Sequence, residues 1–420
     1  MSARLRKGIH DPTARATTTD RPLSALLSQT LIAFTLEFDN EFERQMNEPG
    51  YVGSRLSLVV WSNLLRFLAH GAVSVRDLAT RSMSPEATIK FKLGCLERWR
   101  FVDLQPDPTD GRPIQVRPHR RARQDLRDGW GSGRGIRADW LVQPTPKALK
   151  AHAIWQPLFG AIERRWQTRF GADEIGRLVE SLQTLVSQLD LELRHGLPDP
   201  WEVAEAKLYP RRTAANPAPL PLATLLSQSL LAFRIEFDRE SKAPLPLCAN
   251  TLRVLAENPT LRAGDLSHLT GASPERSAVG WPLKPYVVVE LDPNATRGKV
   301  VRLTPRGLKA RQTYVALAAK IEKRWQTRFG ADLVRRLRDS LQYLLTSQHR
   351  DRPLVAEGLI PPPGVARSGS PAPALGRQDV GAAARQRIRD LVIQTEAFVQ
   401  DPAGTLPHYP LWDMNRGFGP

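Results

Sequence analysis

The sequence is poor in cysteine and has no long apolar run. Cys95 and Cys248 are the only cysteines among 420 residues and form no Cys-x-x-Cys pair, so we expect no zinc finger, disulfide framework or thioredoxin-type site. No stretch of about 18 apolar residues occurs, which excludes a transmembrane helix, and the N-terminal stretch has no apolar core typical of a secretory signal. The sequence therefore predicts a cytoplasmic protein with no membrane partner.

The sequence also lacks the motifs of common catalytic and metal sites. Its eight histidines are scattered without metal-ligand spacing. Neither a glycine-rich phosphate loop nor a Gly-x-Ser-x-Gly elbow occurs. We therefore expect no metal, no cofactor and no enzyme activity, although a catalytic site assembled from distant residues stays open.

Positive charge is abundant. The formal net charge is +17, and arginine supplies most of the cations, with 48 Arg against 12 Lys. One interpretation is codon bias in a GC-rich genome, which enriches arginine without a functional reason. The other is an anionic partner, most often a nucleic acid.

Two segments of the sequence are repeated. Residues 22–41 (PLSALLSQTLIAFTLEFDNE) match residues 221–240 (PLATLLSQSLLAFRIEFDRE). Residues 162–173 (IERRWQTRFGAD) match residues 321–332 (IEKRWQTRFGAD). Because the repeat is long and occurs only twice, we interpret it as two homologous units rather than a solenoid.

Composition places the boundaries of these units. Between the repeated segments, Leu65-Arg66 matches Leu252-Arg253. In chain order, the predicted parts are a disordered arm (1–20), a first unit (21–191), a linker (192–219), a second unit (220–348) and a Pro-rich tail (349–420). The first unit has a basic insertion at about 105–140, and the tail has a short helix at 378–400. The last stretch, LPHYPLWDMNRGFGP, is expected either to dock on a unit or to stay loose.

Each unit is predicted to be mainly α-helical with a small β-hairpin. Apolar residues recur at helical spacing, and Ser84 followed by Pro85 predicts the start of a fourth helix. The predicted order is helix, helix, a short helix–turn–helix, a hairpin and two long helices.

This order resembles the winged helix-turn-helix fold with flanking dimerisation helices of the MarR family of bacterial regulators. Residues 286–307 (YVVVELDPNATRGKVVRLTPRG) are similar to the family's strand, wing, strand and following helix. They end in Leu-Thr-Pro-Arg-Gly, whereas the first unit has Ala148 in place of that glycine. The resemblance implies tandem winged helix-turn-helix units that bind duplex DNA as an intrachain pseudo-dimer, with a small-molecule effector shifting their spacing.

The resemblance also implies which residues contact DNA, namely those of the fourth helix and the wing. In the first unit these are Ser84, Thr88, Lys90, Lys92, Arg98, Arg112, Arg120, Arg121 and Arg123. Arg100 follows at the end of the helix. The alternatives are an ordinary solvated helix face and a disordered basic insertion in an arginine-rich proteome.

The second unit departs from the pattern. Its corresponding residues are Arg276, Lys284, Arg297 and Lys299. Gly280, Pro282 and Pro285 should interrupt its recognition helix, because an interior proline costs about 3 kcal/mol. We therefore expect the second unit to contribute less to DNA recognition.

Both units carry a cluster of acids and a tryptophan. The acids are Glu37, Asp39 and Glu41, and Glu236, Asp238 and Glu240. We interpret them as solvated surface acids or as ion-paired with Arg164 and Arg165, or with Lys323 and Arg324. A metal or general-acid site is the alternative. Trp166 and Trp325 are expected in the core or at an interface.

The predicted function is transcriptional regulation through DNA binding. One alternative is a non-enzymatic architectural or protein-interaction protein that uses the same folds without reading a DNA sequence. Another is an enzyme in which the winged helices only dimerise.

Overall fold

The protein is mainly helical over the part of the chain that the structure describes. The computed structural model describes residues 21–46, 56–69, 71–106, 135–199, 202, 204–213, 219–258, 261–262, 266, 270, 285–291, 299–346 and 406–410. Within these ranges two small antiparallel sheets of three strands accompany the helices, which confirms the expected fold class at that level. No helix in these ranges is long and apolar enough to cross a bilayer. The predicted arm 1–20 and helix 378–400 lie outside them.

The first half of the chain contains six helices and one sheet within its described ranges. In chain order they are α1 (Leu23–Met46), α2 (Leu58–Leu65), β1 (Val73–Ser74), α3 (Val75–Arg81), α4 (Glu86–Arg98), β2 (Val102–Gln105), β3 (Leu141–Pro144), α5 (Pro146–Phe170) and α6 (Ala172–Ser187). Strand β3 lies between β1 and β2. In this register Val142 is opposite both Val73 and Leu104.

The second half shows the same order among its described elements. They are α7 (Leu222–Glu240), α8 (the consecutive pieces Leu245–Leu247, the π-helical turn Cys248–Leu252, and Arg253–Glu257), β4 (Leu261–Arg262), β5 (Val287–Leu291), β6 (Lys299–Leu303), α9 (Pro305–Phe329) and α10 (Ala331–Thr346). Strand β6 lies between β4 and β5. The order after α7 thus follows the order after α1, as far as the described ranges extend.

Repeated sequence produces repeated helix ends. The Thr145 hydroxyl accepts a hydrogen bond from the Ala148 N–H, and the Thr304 hydroxyl accepts one from the Gly307 N–H, so these threonines cap α5 and α9. A proline follows each threonine at the start of the helix. Both helices end at a glycine with φ of 97°, Gly171 and Gly330. A residue with a side chain is strained there, so the glycine fixes where each long helix stops.

The start of α9 also requires a glycine. A Cβ atom on Gly307 would lie 2.1 Å from the carbonyl oxygen of Tyr286, which is far closer than atoms can approach. In the first half the corresponding helix start carries Ala148, which is buried. The two halves therefore differ in how closely the hairpin approaches the long helix.

The two halves pack together through their first and last helices. Helix α1 packs on α5 of its own half and on α7 and α10 of the second half, while α6 packs on α7 and α10. Because α1 is surrounded, even its polar Ser28 and Thr30 are fully buried. Across the halves, the Leu23 N–H donates to Glu322 (3.3 Å) and Arg338 donates to the carbonyl of Arg21 (2.9 Å).

The predicted linker is packed rather than loose over its described residues. We call residues 192–213 the connecting segment. Its residues Leu193, Leu197 and Tyr209 are buried in the protein, and its Arg194 is only 1% exposed. Its prolines and charges suggested a linker between the units. The described part is packed, because its leucines and tyrosine join the core between the halves.

Candidate nucleic-acid interface

Helix α4 begins one residue later than predicted. Its first residue is Glu86, and Pro85 is the flanking N-cap residue without a side-chain cap. The Ser84 hydroxyl instead accepts a hydrogen bond from Arg194 (2.8 Å) and donates one to the Ser82 carbonyl (3.1 Å). The prediction that Ser84 caps this helix is wrong, because the buried guanidinium of the connecting segment engages the hydroxyl.

Lys92 does not point outward. Its ammonium group lies 3.2 Å from the Asp199 carboxylate and donates to the Val60 carbonyl at 3.1 Å. The side chains of Lys92 and Asp199 are 6% and 2% exposed. The expectation that Lys92 points outward, on which its predicted DNA contact depends, is therefore wrong. Helical spacing placed Lys92 on an outer face that the connecting segment covers.

Thr88 is also held by the connecting segment. Its hydroxyl donates a hydrogen bond to the Glu202 carboxylate, and the residue is half-buried. Three predicted contact residues of the first half, Ser84, Thr88 and Lys92, thus each have a partner between Arg194 and Glu202. Sequence spacing gave no sign of this, because the partners lie more than a hundred residues away in the chain.

The remaining predicted cations of α4 are accessible. Lys90 pairs with Glu86 one turn earlier, and its side chain is 27% exposed. Arg98 and Arg100 are exposed, and the Arg98 guanidinium lies 6.0 Å from the centre of the Trp99 ring. On the preceding helix α3, Arg76 and Arg81 are exposed too, although the sequence analysis did not single them out.

The arginine-rich insertion connects the two strands of the β2–β3 hairpin. Gln105 at the end of β2 lies opposite Leu141 at the start of β3. The two ends of the segment between these strands therefore lie next to each other at this end of the hairpin. The predicted wing contacts Arg112, Arg120, Arg121 and Arg123 lie outside the described residues. On the returning chain, Arg137 is exposed and pairs with Asp139.

Few of the predicted contacts in the second half can be placed. Lys299 is the first residue of β6 and lies opposite Leu291, the last residue of β5, and both are exposed. The contacts Arg276, Lys284 and Arg297 lie outside the described residues. The same holds for Gly280 and Pro282, so the predicted interruption of the recognition helix stays a prediction.

The duplicated glutamates accept hydrogen bonds from the duplicated tryptophans. The indole N–H of Trp166 donates to Glu37 at 3.0 Å, and that of Trp325 donates to Glu236 at 2.9 Å. Both indoles are fully buried. The tryptophans are therefore core residues, as expected.

The duplicated acids are also ion-paired. Arg165 lies 3.0 Å from Glu41, and Arg324 lies 3.2 Å from Glu236, so the interpretation of the acids as ion-paired is confirmed for these arginines. Arg169, which was not predicted as a partner, lies 3.1 Å from Glu37. Bonds to Arg44, Gln45 and Arg165 lower the pKa of Glu41 to about 2, against the effect of burial.

The aspartate of each acid cluster fixes the next helix. Asp39 accepts a hydrogen bond from the Leu58 N–H, and Asp238 accepts one from the Leu245 N–H, both at 2.8 Å. These are the first residues of α2 and α8, so each aspartate satisfies a free helix-end donor. No group of three potential metal ligands occurs within the described ranges.

Duplicated glutamines bind the main chain of two segments that lie outside the helices and strands. The Gln228 amide of α7 donates to the Leu193 carbonyl at 2.7 Å, and the Gln29 amide of α1 donates to the Leu406 carbonyl at 2.8 Å. Gln29 and Gln228 are equivalent in the repeat. Each therefore binds a segment that follows the other half in the chain.

Duplicated asparagines bind the same two segments. Asn63 accepts a hydrogen bond from the His195 N–H at 3.3 Å. Asn250 accepts one from the Tyr409 N–H at 3.0 Å and donates to the Tyr409 carbonyl at 2.9 Å. We call the site of Gln228 and Asn63 the first groove, and the site of Gln29 and Asn250 the second groove.

The occupants of the two grooves share a short sequence signal that our sequence analysis missed. Leu193-Arg194-His195 and Leu406-Pro407-His408 both have the form Leu-x-His. Three residues in different contexts are too short a match to separate from chance. The structure gives the match a meaning, because it places both leucine carbonyls on equivalent glutamines.

Both histidines are held in surroundings that oppose their charged form. Burial, with help from nearby Arg66, lowers the pKa of His195 to about 4. Burial, with help from Arg253 and Arg21, lowers the pKa of His408 well below its usual value. Arg66 and Arg253 correspond in the repeat, so an equivalent arginine acts on the histidine in each groove. The grooves differ in register, because Asn63 binds His195 whereas Asn250 binds Tyr409.

Comparisons with family models, with curated proteins and with solved structures find no match to this chain. The charge and geometry of its own residues are therefore what bear on function.

Proposed function

We propose that the protein is a DNA-binding transcriptional regulator of the winged helix-turn-helix type, with its two halves arranged as an intrachain pseudo-dimer. In this proposal α3 and α4 form the helix-turn-helix and the β2–β3 hairpin forms the wing. The repeated order of elements and the packing of α1 and α6 on α7 and α10 support it.

The hairpin that carries the arginine-rich insertion is the main observation behind this proposal. Between 112 and 137 the chain has eight arginines against Asp125 and Asp128. Strands β2 and β3 attach this segment to the sheet directly after α4 in the chain. Arginine is attracted to narrow minor grooves, where the negative potential of DNA is strongest.

Accessible cations on α3 and α4 extend this basic surface. They are Arg76, Arg81, Lys90, Arg98 and Arg100. Cations of this kind contact phosphates, which positions a protein on DNA without reading its sequence. The connecting segment binds the side chains of Thr88 and Lys92. The predicted contacts of α4 that remain accessible for base reading are therefore Lys90 and Arg98. An effector would act by changing the spacing of the two halves.

Binding to duplex DNA with paired variants tests this proposal. Lys90→Ala with Arg98→Ala should weaken binding by about thirtyfold or more, since two contacts are lost and each costs roughly 1–3 kcal/mol. The matched control removes Arg335 and Arg336, two exposed arginines of α10, and should change binding little. Equal losses in both double variants would contradict the proposed role of α4.

A second candidate function is favoured by the connecting segment itself. Its contacts with Ser84, Thr88 and Lys92 occupy the face that would read bases in the proposed regulator. This geometry fits a non-enzymatic architectural or protein-interaction protein that binds anions without sequence preference. Selection from a random duplex pool at about 150 mM salt separates the two, because only the regulator returns a shared sequence motif.

A further inference from the structure

We propose that the second groove is a peptide-binding site, and that the chain's own residues 406–409 are its dissociable ligand. The ligand class is a proline-containing Leu-x-His-Tyr peptide with a neutral histidine. This proposal does not depend on DNA binding.

The contacts in the second groove are those of peptide recognition. Gln29 and Asn250 make three hydrogen bonds to the main chain of Leu406 and Tyr409, at 2.8 to 3.0 Å. The side chains of these two ligand residues are 1% and 0% exposed. Main-chain bonds supply affinity and side-chain pockets supply specificity in such sites.

The pocket for the tyrosine is polar at its end. Arg234 donates a hydrogen bond to the Tyr409 hydroxyl at 3.1 Å, and its guanidinium lies 5.4 Å from the centre of the same ring. A phenylalanine in this position would remove one acceptor from the buried Arg234 guanidinium, which would keep its bonds to the carbonyls of Pro198 and Asp199. The groove should therefore prefer tyrosine over phenylalanine.

The position before the tyrosine requires a neutral residue. Arg253 of α8 and Arg21 before α1 act electrostatically on His408. The His408 side chain is buried, and its Nδ1 atom has no hydrogen-bond partner within the described residues. A cationic residue here would face two guanidinium groups without the screening of water.

The two grooves differ in how their occupants are connected. Leu193 follows the end of α6 at Ser187 by six residues, whereas Leu406 follows the end of α10 at Thr346 by sixty. A longer connection gives a lower effective concentration at the site. The C-terminal segment is therefore the occupant that can leave and be replaced, while the connecting segment stays in the first groove.

Occupancy of the second groove bridges the two halves. Gln29 belongs to α1 of the first half, whereas Arg234 and Asn250 belong to α7 and α8 of the second half. A peptide that binds all three favours the packing of the halves seen here. Release of the segment would remove that bridge and leave a site for a partner peptide of the same form.

A cleavable full-length chain tests the proposal. A specific protease site inserted within 349–376 allows the whole chain to fold before the C-terminal segment is cut from the rest. A fluorescent peptide of residues 401–415 is then added, and its anisotropy is measured. We expect saturable binding as the peptide replaces the cut segment.

Variants on both sides of the contact decide the outcome. Asn250→Ala should weaken peptide binding about tenfold, whereas Asn63→Ala in the first groove should leave it within about twofold. On the ligand, Tyr409→Phe should weaken binding and a scrambled peptide should not bind, and these tests remain valid if Asn250→Ala does not fold.

Three results would overturn the proposal. The first is that the labelled peptide does not bind, and the second is that it binds no better than the scrambled one. The third is that the cut segment leaves only when the helical circular dichroism signal is lost, since it would then be a fixed part of the core.

Discussion

The guanidinium of Arg234 lies 3.1 Å from the hydroxyl of Tyr409, and both side chains are fully buried. The same guanidinium pairs with Asp238 at 3.1 Å and donates to the carbonyls of Pro198 and Asp199 at 3.3 Å. One side chain of α7 therefore binds both the connecting segment and the C-terminal segment. In the first half the repeat has Thr35 in this position, so the arrangement is particular to the second half.

Removing Arg234 should destabilise the protein strongly. Arg234→Ala leaves the buried Asp238 carboxylate without its cation, which costs about 3–5 kcal/mol in comparable sites. Urea denaturation followed by circular dichroism measures the loss. Arg239→Ala is the control, because Arg239 is exposed on the same helix and its removal should change stability by about 0.5 kcal/mol or less. Similar losses for the two variants would mean that the buried pair is not formed.

Lys92 and Lys90 should behave differently although only one residue separates them. Lys92→Ala removes the buried cation that pairs with the Asp199 carboxylate, so the free energy of unfolding should fall by about 3–5 kcal/mol. Lys90→Ala removes a surface pair with Glu86 and should cost about 0.5 kcal/mol. Chemical denaturation of both variants checks this. A stable Lys92→Ala protein with weakened DNA binding would instead support an outward-pointing Lys92.

Stability should fall as the pH is lowered through the ordinary histidine range. The folded protein holds His195 with a pKa of about 4, below the unfolded value of about 6.5, so the unfolded chain binds more protons between these values. Stability is full above about pH 6.5 and decreases towards pH 4. For His195 alone the loss from pH 7 to 5 is about 2 kcal/mol. His408 contributes in the same direction.

Histidine replacements test the source of this pH dependence. His195→Gln and His408→Gln should each reduce the change in urea midpoint between pH 7 and 5. His152→Gln should leave that change as it is, because the ring of His152 lies beside Gln156 at the surface of α5. A pH dependence that survives both groove replacements would show that other groups cause it.

The start of α9 should not tolerate a methyl group. Gly307→Ala places a Cβ atom 2.1 Å from the Tyr286 carbonyl oxygen, so β5 and α9 must separate at a cost of about 3 kcal/mol. Ala148→Gly at the corresponding place in the first half should cost about 1 kcal/mol, mainly through helix propensity. Thermal unfolding compares the two. Equal effects would show that the close approach is not retained in solution.

The repeated segments predicted most of the fold. Apolar spacing placed the long helices close to their observed ends, and Pro146 and Pro305 stand at the first turns of α5 and α9. Strands β1 and β4 were missed, because two residues carry too little pattern to recognise. Their pairing depends on β3 and β6, which are distant in the chain.

The candidate site was predicted less well than the fold. The outer face of α4 was placed from helical spacing alone, which describes a helix in isolation. Asp199 and Glu202 lie more than a hundred residues away and cover Lys92 and Thr88 through tertiary contacts. Such contacts leave no local signal, so Lys92 was predicted to be exposed when it is buried.

The salt dependence of binding to duplex DNA tests the central claim most directly. If the full chain neutralises about six phosphates, the logarithm of its binding constant should fall with the logarithm of salt concentration with a slope of about −5. Replacement of the arginines at 112, 120, 121 and 123 by alanine should make that slope shallower. A slope near zero, or no retention on duplex DNA at low salt, would contradict the proposal that this protein is a DNA-binding regulator.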